Sequence, residues 1–512
     1  GVLAAGERLA LGIKREGQAT TTLDETFLCN QWCGKGTLRP NPRSMERHNA
    51  RLPGTDPANW DSNNTHIRIG RDSEENPIFG TPRERNSIAG LVNKGSDITS
   101  GTLTLTKFNG PYLLTRKMVI ASGATLDVDP GVVIKFSREG GLSVLGTLRV
   151  RGREDDIVSF IAVEDDTAGG DMNLNGPLIP PSDPSQWQGL SFAAGSSDSV
   201  LSYLNIRDGG GNTPDGNTNI IIRAASPKID HMRNEHAPRT GLLLVDSDAE
   251  ISDSVFSGMA ASAIGFGMVI LPGGHPVIRR NQFIGNDRGL QANGTSATIE
   301  DNIFTDSIFR PFELGALGGG RIAGNTGSGS GSTGRAGHTG LAIFLNGFVS
   351  NGTTTLGKNP GFPYLMVENN FVIPRGAAVV VEPGAVLKYS RSKITVEGRL
   401  EAVGTQSEPV LFTSARDDSD GSDAEGNGDA GPGAFNSPNI IMKSGATSRF
   451  ENAEIRFASA GLTYEEASPI FLRNVSFVND GFAISALDPV VIDTAEGLTF
   501  VNTLATSSPG CW

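Results

Sequence analysis

Short stretches of alternating apolar and polar residues recur along the middle of the chain at nearly constant spacing. An isoleucine returns every 21 to 27 residues, and a phenylalanine often follows five positions later, as in Ile278 with Phe283 and Ile299 with Phe304. Alternation with a period of two places every second side chain on one face of a β-strand. A regular return of such strands is typical of stacked coils, so we predict parallel strands about 4.8 Å apart. The aligned isoleucines are Ile229, Ile251, Ile278, Ile299 and Ile322.

Inward-facing asparagines are predicted at the corners of these coils. Asn281 and Asn302 occupy the same place in their repeats, between the isoleucine and the phenylalanine. Stacked side-chain amides can form a ladder that satisfies polar atoms in a tight bend. The alternative is that each is a surface turn residue.

A longer duplication surrounds this series of short repeats. Residues 118–162 and 371–414 are two versions of one segment, and the similarity extends upstream of both. One coil cannot bury its own apolar face, but stacked coils bury a continuous core. The aligned pairs are Val119 with Val372, Pro130 with Pro383, Lys135 with Lys388, Gly146 with Gly398 and Phe160 with Phe412.

The duplication divides the 512 residues into three parts. Residues 1–100 are interpreted as an irregular N-terminal capping or docking segment. Residues 101–351 form a first β-helix unit, and residues 352–512 form a second, incomplete unit continuous with it. Only residues 1–16 have a helix-like pattern, and we expect an amphipathic helix there that covers the first coil, because exposed strand edges invite pairing. Elsewhere glycine and β-branched residues interrupt every helical window, so the predicted fold is all-β.

The composition indicates a narrow, dry interior. The chain has 24 Phe against 5 Tyr and 4 Trp, and a phenylalanine ring stacks without a hydroxyl that needs a partner. The net charge of −13 argues against nucleic acid as a partner. No apolar run approaches the ~20 residues that span a bilayer. The chain begins at Gly1 without a visible signal peptide, and we interpret it as a mature or clipped chain whose targeting segment is gone.

The three cysteines are Cys29, Cys33 and Cys511. Cys29 and Cys33 lack the second ligand pair of a zinc site, so we favour a local disulfide over free thiols. An odd count in a secreted protein suggests pairing between chains. Cys511 is therefore a candidate for joining Cys29 or Cys33 of a second copy.

The duplicated segment resembles a known family. The run Gly-Ala-Thr-Leu-x-Val-x-Pro-Gly-Val-Val-Ile-Lys-Phe at 123–136, followed by Leu-x-Val-x-Gly-Thr-Leu at 142–148, is similar to the repeat of secreted right-handed parallel β-helix proteins of bacterial surfaces. In that family an Asp/Gly-rich loop and a Trp-containing coil start follow, which correspond here to 164–176 and Trp187. The second copy has the loop at 415–429 and lacks the Trp. The resemblance covers about residues 100–512 and implies the fold and an adhesin-like surface protein, but no activity.

The two acidic loops are the candidate metal sites. Closely spaced aspartates in a glycine-rich turn supply the six to eight oxygens that Ca²⁺ prefers, although the spacing matches no EF-hand. Because the loops belong to a shared structural repeat, we expect a structural ion, with a solvated acidic loop as the alternative. The candidate ligands are Asp417, Asp418, Asp420, Asp423 and Asp429 in the second copy, and Asp165, Asp166 and Asp171 in the first.

Polysaccharide lyases and hydrolases also use the β-helix, so catalysis has to be weighed. A hydrolase needs carboxylates at fixed separations, which the Asp165-Asp166 and Asp417-Asp418 doublets resemble. The doublets recur in both copies beside different neighbours, and no flanking His or Arg signature of those enzymes accompanies them. We therefore predict no enzymatic activity.

These observations predict an extracellular or cell-surface structural protein with a rod-like β-helix. Its coils supply stiffness, and its projecting loops meet the partner. The incomplete second unit suggests end-to-end assembly of subunits into a filament or surface layer, and surface polysaccharide is the other expected partner. The alternative is a polysaccharide-binding or polysaccharide-degrading protein.

Overall fold

The computed structural model describes residues 10–13, 21–26, 45–47, 54–57, 60–62, 97–107, 111–169, 187–211, 217–259, 264–294, 296–329, 340–367, 370–426, 440–465, 469–486 and 491–507. These residues contain 47 strands and no α-helix. Accordingly, no helix in this part of the chain is long and apolar enough to cross a membrane. The predicted fold class is confirmed, because the chain is an all-β parallel β-solenoid with about 15 turns.

The strands are short, as expected for coils separated by tight turns. The strands up to residue 207 are β1 Ala10–Ile13, β2 Thr21–Glu25, β3 Met45–Arg47, β4 Trp60–Ser62, β5 Thr102–Leu105, β6 Tyr112–Leu114, β7 Lys117–Ile120, β8 Thr125–Val128, β9 Val133–Phe136, β10 Gly141–Val144, β11 Thr147–Arg151, β12 Val158–Ala162, β13 Leu190–Phe192, β14 Val200–Ser202 and β15 Leu204–Arg207. The next strands are β16 Thr218–Arg223, β17 Lys228–Asp230, β18 Arg233–Glu235, β19 Thr240–Val245, β20 Glu250–Ser252, β21 Val255–Ser257, β22 Phe266–Ile270, β23 Val277–Arg279, β24 Gln282–Ile284, β25 Arg288–Ala292, β26 Thr298–Glu300, β27 Ile303–Thr305, β28 Arg310–Leu314, β29 Gly320–Ala323, β30 Thr326–Ser328 and β31 Ile343–Leu345. The last strands are β32 Thr353–Leu356, β33 Tyr364–Val367, β34 Phe371–Ile373, β35 Ala378–Val381, β36 Val386–Ser390, β37 Ile394–Val396, β38 Arg399–Val403, β39 Val410–Ser414, β40 Ile440–Met442, β41 Thr447–Arg456, β42 Ala460–Tyr464, β43 Pro469–Val478, β44 Phe482–Ala486, β45 Val491–Glu496, β46 Thr499–Val501 and β47 Ala505–Ser507.

The structure divides the chain into two compact units, whose bounds differ from those of the two sequence units. The first unit comprises residues 1–190 and 203–211. Its coils are parallel stacks such as β6, β9, β12 and β15, which pair in register. Trp187 is fully buried and stacks on Phe136 with ring centroids 4.1 Å apart. Near the N-terminus β1 pairs with β2 in antiparallel fashion. The helix expected over residues 1–16 is therefore wrong for Ala10–Ile13, which form a strand, and the rest of that segment lies outside the described residues.

The second unit comprises residues 191–202 and 212–512. Ile229, Ile251, Ile278, Ile299 and Ile322 are direct neighbours on successive parallel strands, as the spacing predicted. All five are buried. Phe256, Phe283 and Phe304 form a second column, whose rings stack with centroids 5.2 and 4.9 Å apart. The insertions between the isoleucines are therefore accommodated in loops without a change of register.

The asparagine ladder is confirmed in this unit and is longer than predicted. Asn281, Asn302, Asn325 and Asn359 form a column, and each backbone N–H of the first three donates to the side-chain oxygen of the next. The side-chain amides donate to the same oxygens at 3.0 to 3.1 Å. These bonds satisfy polar groups at a bend that water does not reach.

Candidate functional site

One outward-facing column of the second unit carries charged residues under the acidic loop. Lys388 on β36 pairs with Thr413 on β39, and Arg456 on β41 follows Ile455, which pairs with Phe412. Alternation along each strand puts Lys388, Thr413 and Arg456 on the outer side of the sheet. The loop that leaves β39 after Ser414 then lies over them, which brings its aspartates to the column.

Lys388 anchors the beginning of this loop. Its side chain is fully buried, and Nζ donates to the carbonyl oxygens of Asp417 at 2.6 Å and Ser422 at 2.7 Å. The Asp418 carboxylate lies 3.9 Å from the same nitrogen. A buried ammonium requires such partners, because desolvation of an isolated charge is costly.

Arg456 holds the same turn from the next coil. Its Nη1 lies 2.5 Å from Asp420 Oδ2 and 3.5 Å from Asp417 Oδ2. The Thr413 hydroxyl donates to Asp417 Oδ2, and the Ser419 hydroxyl donates to Asp417 Oδ1, both at 2.5 Å. Both oxygens of the Asp417 carboxylate are therefore engaged inside the protein.

These contacts determine the ionisation of the cluster. Burial opposes ionisation of Asp417, but hydrogen bonds from Ser419 and Thr413 and the charge of Arg456 outweigh it and lower the pKa of Asp417. Burial lowers the pKa of Lys388, and the neighbouring aspartates partly offset that effect. At neutral pH the Asp417 carboxyl is ionised, and it can accept but not donate a proton.

The first unit repeats the arrangement. Lys135 is fully buried with Nζ 3.4 Å from Asp166 Oδ1, and Arg207 Nε lies 2.5 Å from Asp165 Oδ2. The hydroxyl and the backbone N–H of Thr167 donate to Asp165 Oδ1 at 2.7 and 2.9 Å. Lysine, aspartate doublet, hydroxyl residue and arginine thus take corresponding places in both copies, which we call the loop clamps.

Apolar contacts and main-chain bonds fix the rest of the second loop. Ala424 of the loop packs with Phe344 and Leu365 in a buried cluster. The backbone N–H of Leu341 donates to the carbonyl of Asp423 at 3.2 Å, and the Ser422 hydroxyl donates to the carbonyl of Leu341 at 2.5 Å. The described part of this loop is folded onto the sheet and does not project from it.

The structure places the predicted metal ligands as follows. Asp165, Asp166, Asp417, Asp418 and Asp420 take part in the loop clamps, and Asp423 uses its carbonyl to hold the loop. Asp171, Asp429 and the three cysteines Cys29, Cys33 and Cys511 lie outside the described residues. Among the residues described, no group of three or more His, Cys, Asp or Glu side chains could hold a metal ion. Calcium binding stays a prediction, and a cation at either clamp would compete with the Lys and Arg already there.

Sequence reasoning missed the basic partners of the aspartates. Lys135 and Lys388 were aligned as copies without a role, and Arg207 and Arg456 lie 42 and 39 residues beyond the first aspartate of each doublet. A signal was available, because an Ile-Arg pair ends the corresponding strand in both copies. Only the stacking of coils brings these separated residues together.

Comparisons with known proteins add little to this geometry. No protein-family model matches the chain, and no curated protein matches it. Among solved structures, the surface protein and adhesin PfbA of Streptococcus pneumoniae is similar at a TM-score of 0.17 and 8% sequence identity, over 81% of this chain and 93% of that one. A TM-score this low supports no inference about function.

Proposed function

We propose that the protein is an extracellular structural protein of the adhesin-like type. Its coils provide a stiff support, and its acidic loops are locked onto the coils to present a defined outer surface. The main support is that five aspartates of the acidic loops each lie no more than 3.9 Å from a Lys or Arg side chain. They are Asp165, Asp166, Asp417, Asp418 and Asp420. The resemblance of residues 123–148 to bacterial surface β-helix repeats supports the same role.

The state of Asp417 favours this proposal over a hydrolase. A glycosidase needs one carboxyl with a raised pKa to protonate the leaving oxygen. The pKa of Asp417 is instead lowered, and hydroxyl and guanidinium groups occupy its oxygens. A carboxylate held in this way stabilises a loop and is poorly placed to transfer a proton.

An activity assay separates these functions. The purified protein is incubated with polygalacturonate and with a neutral β-glucan, each with and without EDTA, and new reducing ends and unsaturated products are measured. We expect neither product. Turnover that is lost in Asp417→Asn but kept in Asp253→Asn, a surface variant, would refute the structural proposal.

Two finer parts of the proposal have their own tests. End-to-end assembly predicts filaments in negative-stain images of concentrated protein, and particles that are all monomers would exclude it.

A structural calcium ion predicts a rise in melting temperature when millimolar CaCl₂ is added, and EDTA should reverse that rise. Equal melting curves in both conditions would remove the ion from the proposal.

A further inference from the structure

A surface cleft lies beside the loop clamp of the second unit. It encloses about 320 Å³, at the lower end of the roughly 300–1,000 Å³ range of small-molecule sites. Val386, Leu411 and Glu454 form its floor, because they are neighbours on β36, β39 and β41. Lys358 and Arg456 also line it.

Each side of this cleft carries a basic side chain paired closely with an acidic one. On one side Lys358 Nζ lies 2.7 Å from Glu408 Oε1, with both side chains 48% exposed. On the other, Arg456 contacts Glu454 and Asp420 at 2.5 Å. The cleft therefore offers hydrogen-bond donors and acceptors on both sides of a partly apolar floor.

This chemistry suits a sugar ring. Pro363 and Pro409 extend the apolar lining next to Leu411, and the C–H faces of a pyranose can pack on such surfaces. The ring's hydroxyl edge both donates and accepts, so it can bond to Lys358 and Glu408 together. Hydrogen bonds to charged groups are the stronger class.

The first unit repeats the lysine–acid pair at the same positions relative to the strands of its sheet. Lys107 Nζ lies 2.5 Å from Asp156 Oδ1, which matches the Lys358–Glu408 pair. The sheet positions that correspond to the floor of the second unit's cleft hold Val133, Ser159 and Asn205, neighbours on β9, β12 and β15. Asn205 Oδ1 is buried and has no hydrogen-bond partner in the described part of the chain.

A glycine lies against the lysine–acid pair in both units and leaves room for it. Gly131 and Gly384 have φ of +70° and +73°, and an added Cβ would lie 2.7 Å from Lys107 Cδ and 2.9 Å from Lys358 Cδ, respectively. A Cβ at Gly131 would displace Asp156 as well as Lys107, and a Cβ at Gly384 would displace Lys358. The positive φ already favours glycine at both positions.

Stability alone explains these lysine pairs poorly. Exposed ion pairs contribute about 0–1 kcal/mol, and Lys107 is 64% exposed. Both copies nevertheless place a lysine and an acid there, with Asp156 in one and Glu408 in the other. A shared arrangement that stabilises little is better explained by a ligand common to both units.

We propose that each unit binds a sugar residue of a polysaccharide beside its lysine–acid pair, so that the chain carries two saccharide sites. This inference goes beyond the structural role proposed above, and it can fail while that role stands. The neighbouring sheet positions differ, with Ser159 and Asn205 in the first unit and Leu411 and Glu454 in the second. The two sites therefore differ in affinity.

Titration calorimetry with three trisaccharides tests the proposal on the full chain. Cellotriose and chitotriose probe neutral sugars, and trigalacturonate probes an anionic one. We expect at least one to bind with a stoichiometry of two. Lys107→Ala and Lys358→Ala should each weaken one site about tenfold or more, and the double variant should weaken both.

The control is Lys228→Ala, which removes an exposed lysine paired to Glu250 at 3.1 Å away from both lysine–acid pairs. It should leave both sites intact. Near-equal melting temperatures of the wild type and the four variants show that the variants fold. No binding of any trisaccharide, a wild-type stoichiometry of one, or binding unchanged in the double variant would each overturn the proposal.

Discussion

The buried ammonium of Lys388 lies 2.6 Å from the carbonyl oxygen of Asp417, and this contact fastens the acidic loop to the sheet. Lys388→Met keeps the length of the side chain but removes the charge. It leaves the carbonyls of Asp417 and Ser422 without this donor and removes the ammonium that lies 3.9 Å from the Asp418 carboxylate. Breaking a buried pair costs about 3–5 kcal/mol, so we expect a loss of about 3 kcal/mol in denaturant unfolding and proteolytic cleavage within 415–426.

The matched control is Lys228→Met. Lys228 and Glu250 are 63% and 56% exposed, and their ion pair is solvated. We expect a loss below about 1 kcal/mol there. Equal losses in the two variants would mean that Lys388 does not anchor the loop.

The repeat spacing predicted the buried core because the pattern is visible within a short stretch of sequence. Alternation marks the inward side of each strand, and Ile278 and Ile299 show the spacing between coils within a window of 21 residues. The asparagine ladder followed from the same alignment, because Asn281 and Asn302 share one position in the repeat. Local periodicity was therefore enough to predict the parallel solenoid and its inward-facing columns of side chains.

The loop clamps could not be predicted in the same way. Asp417 and Asp418 were visible as an acidic doublet, but their partners Lys388 and Arg456 come from strands before and after the loop. Only the register between coils decides that these side chains meet, and the loop length hides that register in the sequence. A charged doublet without its partners suggests a cation, which explains the calcium prediction.

Asp480 predicts a pH dependence of stability. It is fully buried, and burial raises its pKa to about 7, against hydrogen bonds from the backbone N–H groups of Ala458 and Val478. Oδ1 accepts from Ala458 at 2.7 Å, while Oδ2 has no hydrogen-bond partner among the described residues. Asn286 occupies the corresponding corner of another coil, accepting from the N–H of Met259 and donating to the carbonyl of Phe256.

Asp480→Asn supplies the missing donor and removes the titration. In the wild type the unfolded chain releases this proton near pH 4 while the folded chain keeps it to about pH 7, so stability falls as the pH rises between these values. At roughly 1.4 kcal/mol per pKa unit, the variant should be more stable by a few kcal/mol at pH 8 and equal to the wild type near pH 4. Unfolding curves at several pH values measure this, and parallel curves for both proteins would contradict it.

Asp253→Asn should show the opposite sign. A hydrogen bond from Arg280 lowers the pKa of Asp253, and the two groups form a pair at 2.7 and 2.8 Å. Its stabilisation is present at neutral pH and is lost as the pH falls through the lowered pKa. Because the pair is partly exposed, we expect a loss below about 1 kcal/mol at pH 7 that disappears in acid.

The asparagine ladder should tolerate substitution poorly. Asn302 accepts from the backbone N–H of Asn281 at 2.9 Å and donates to Asn325 and to the carbonyl of Ile278, both at 3.0 Å. Asn302→Ala leaves the buried N–H of Asn281 without its acceptor, at about 1–3 kcal/mol, and removes the two side-chain donations, at about 1 kcal/mol each. We expect a loss of about 3 kcal/mol or more, measured by denaturant unfolding.

An exposed asparagine contact provides the comparison. Asn474 donates to Asn452 at 3.2 Å in an exposed position, and its φ is +53°. Asn474→Gly removes the side chain and accepts that φ without strain. We expect a loss below about 1 kcal/mol, and a similar loss in Asn302→Ala would mean that burial adds nothing to the ladder.

Tyr389 should gain stability when its hydroxyl is removed. It occupies the place that Phe136 takes in the first copy and is fully buried, and its hydroxyl has no hydrogen-bond partner among the described residues. Burying an unpaired hydroxyl costs about 1–3 kcal/mol, so Tyr389→Phe should stabilise the protein by about 1 kcal/mol in denaturant unfolding. Tyr364→Phe is the matched control, because its hydroxyl lies 2.8 Å from the Ile322 carbonyl oxygen and 3.0 Å from that of Gly357. That variant should lose about 1 kcal/mol or more, and a loss of similar size in Tyr389→Phe would show that its hydroxyl is paired in solution.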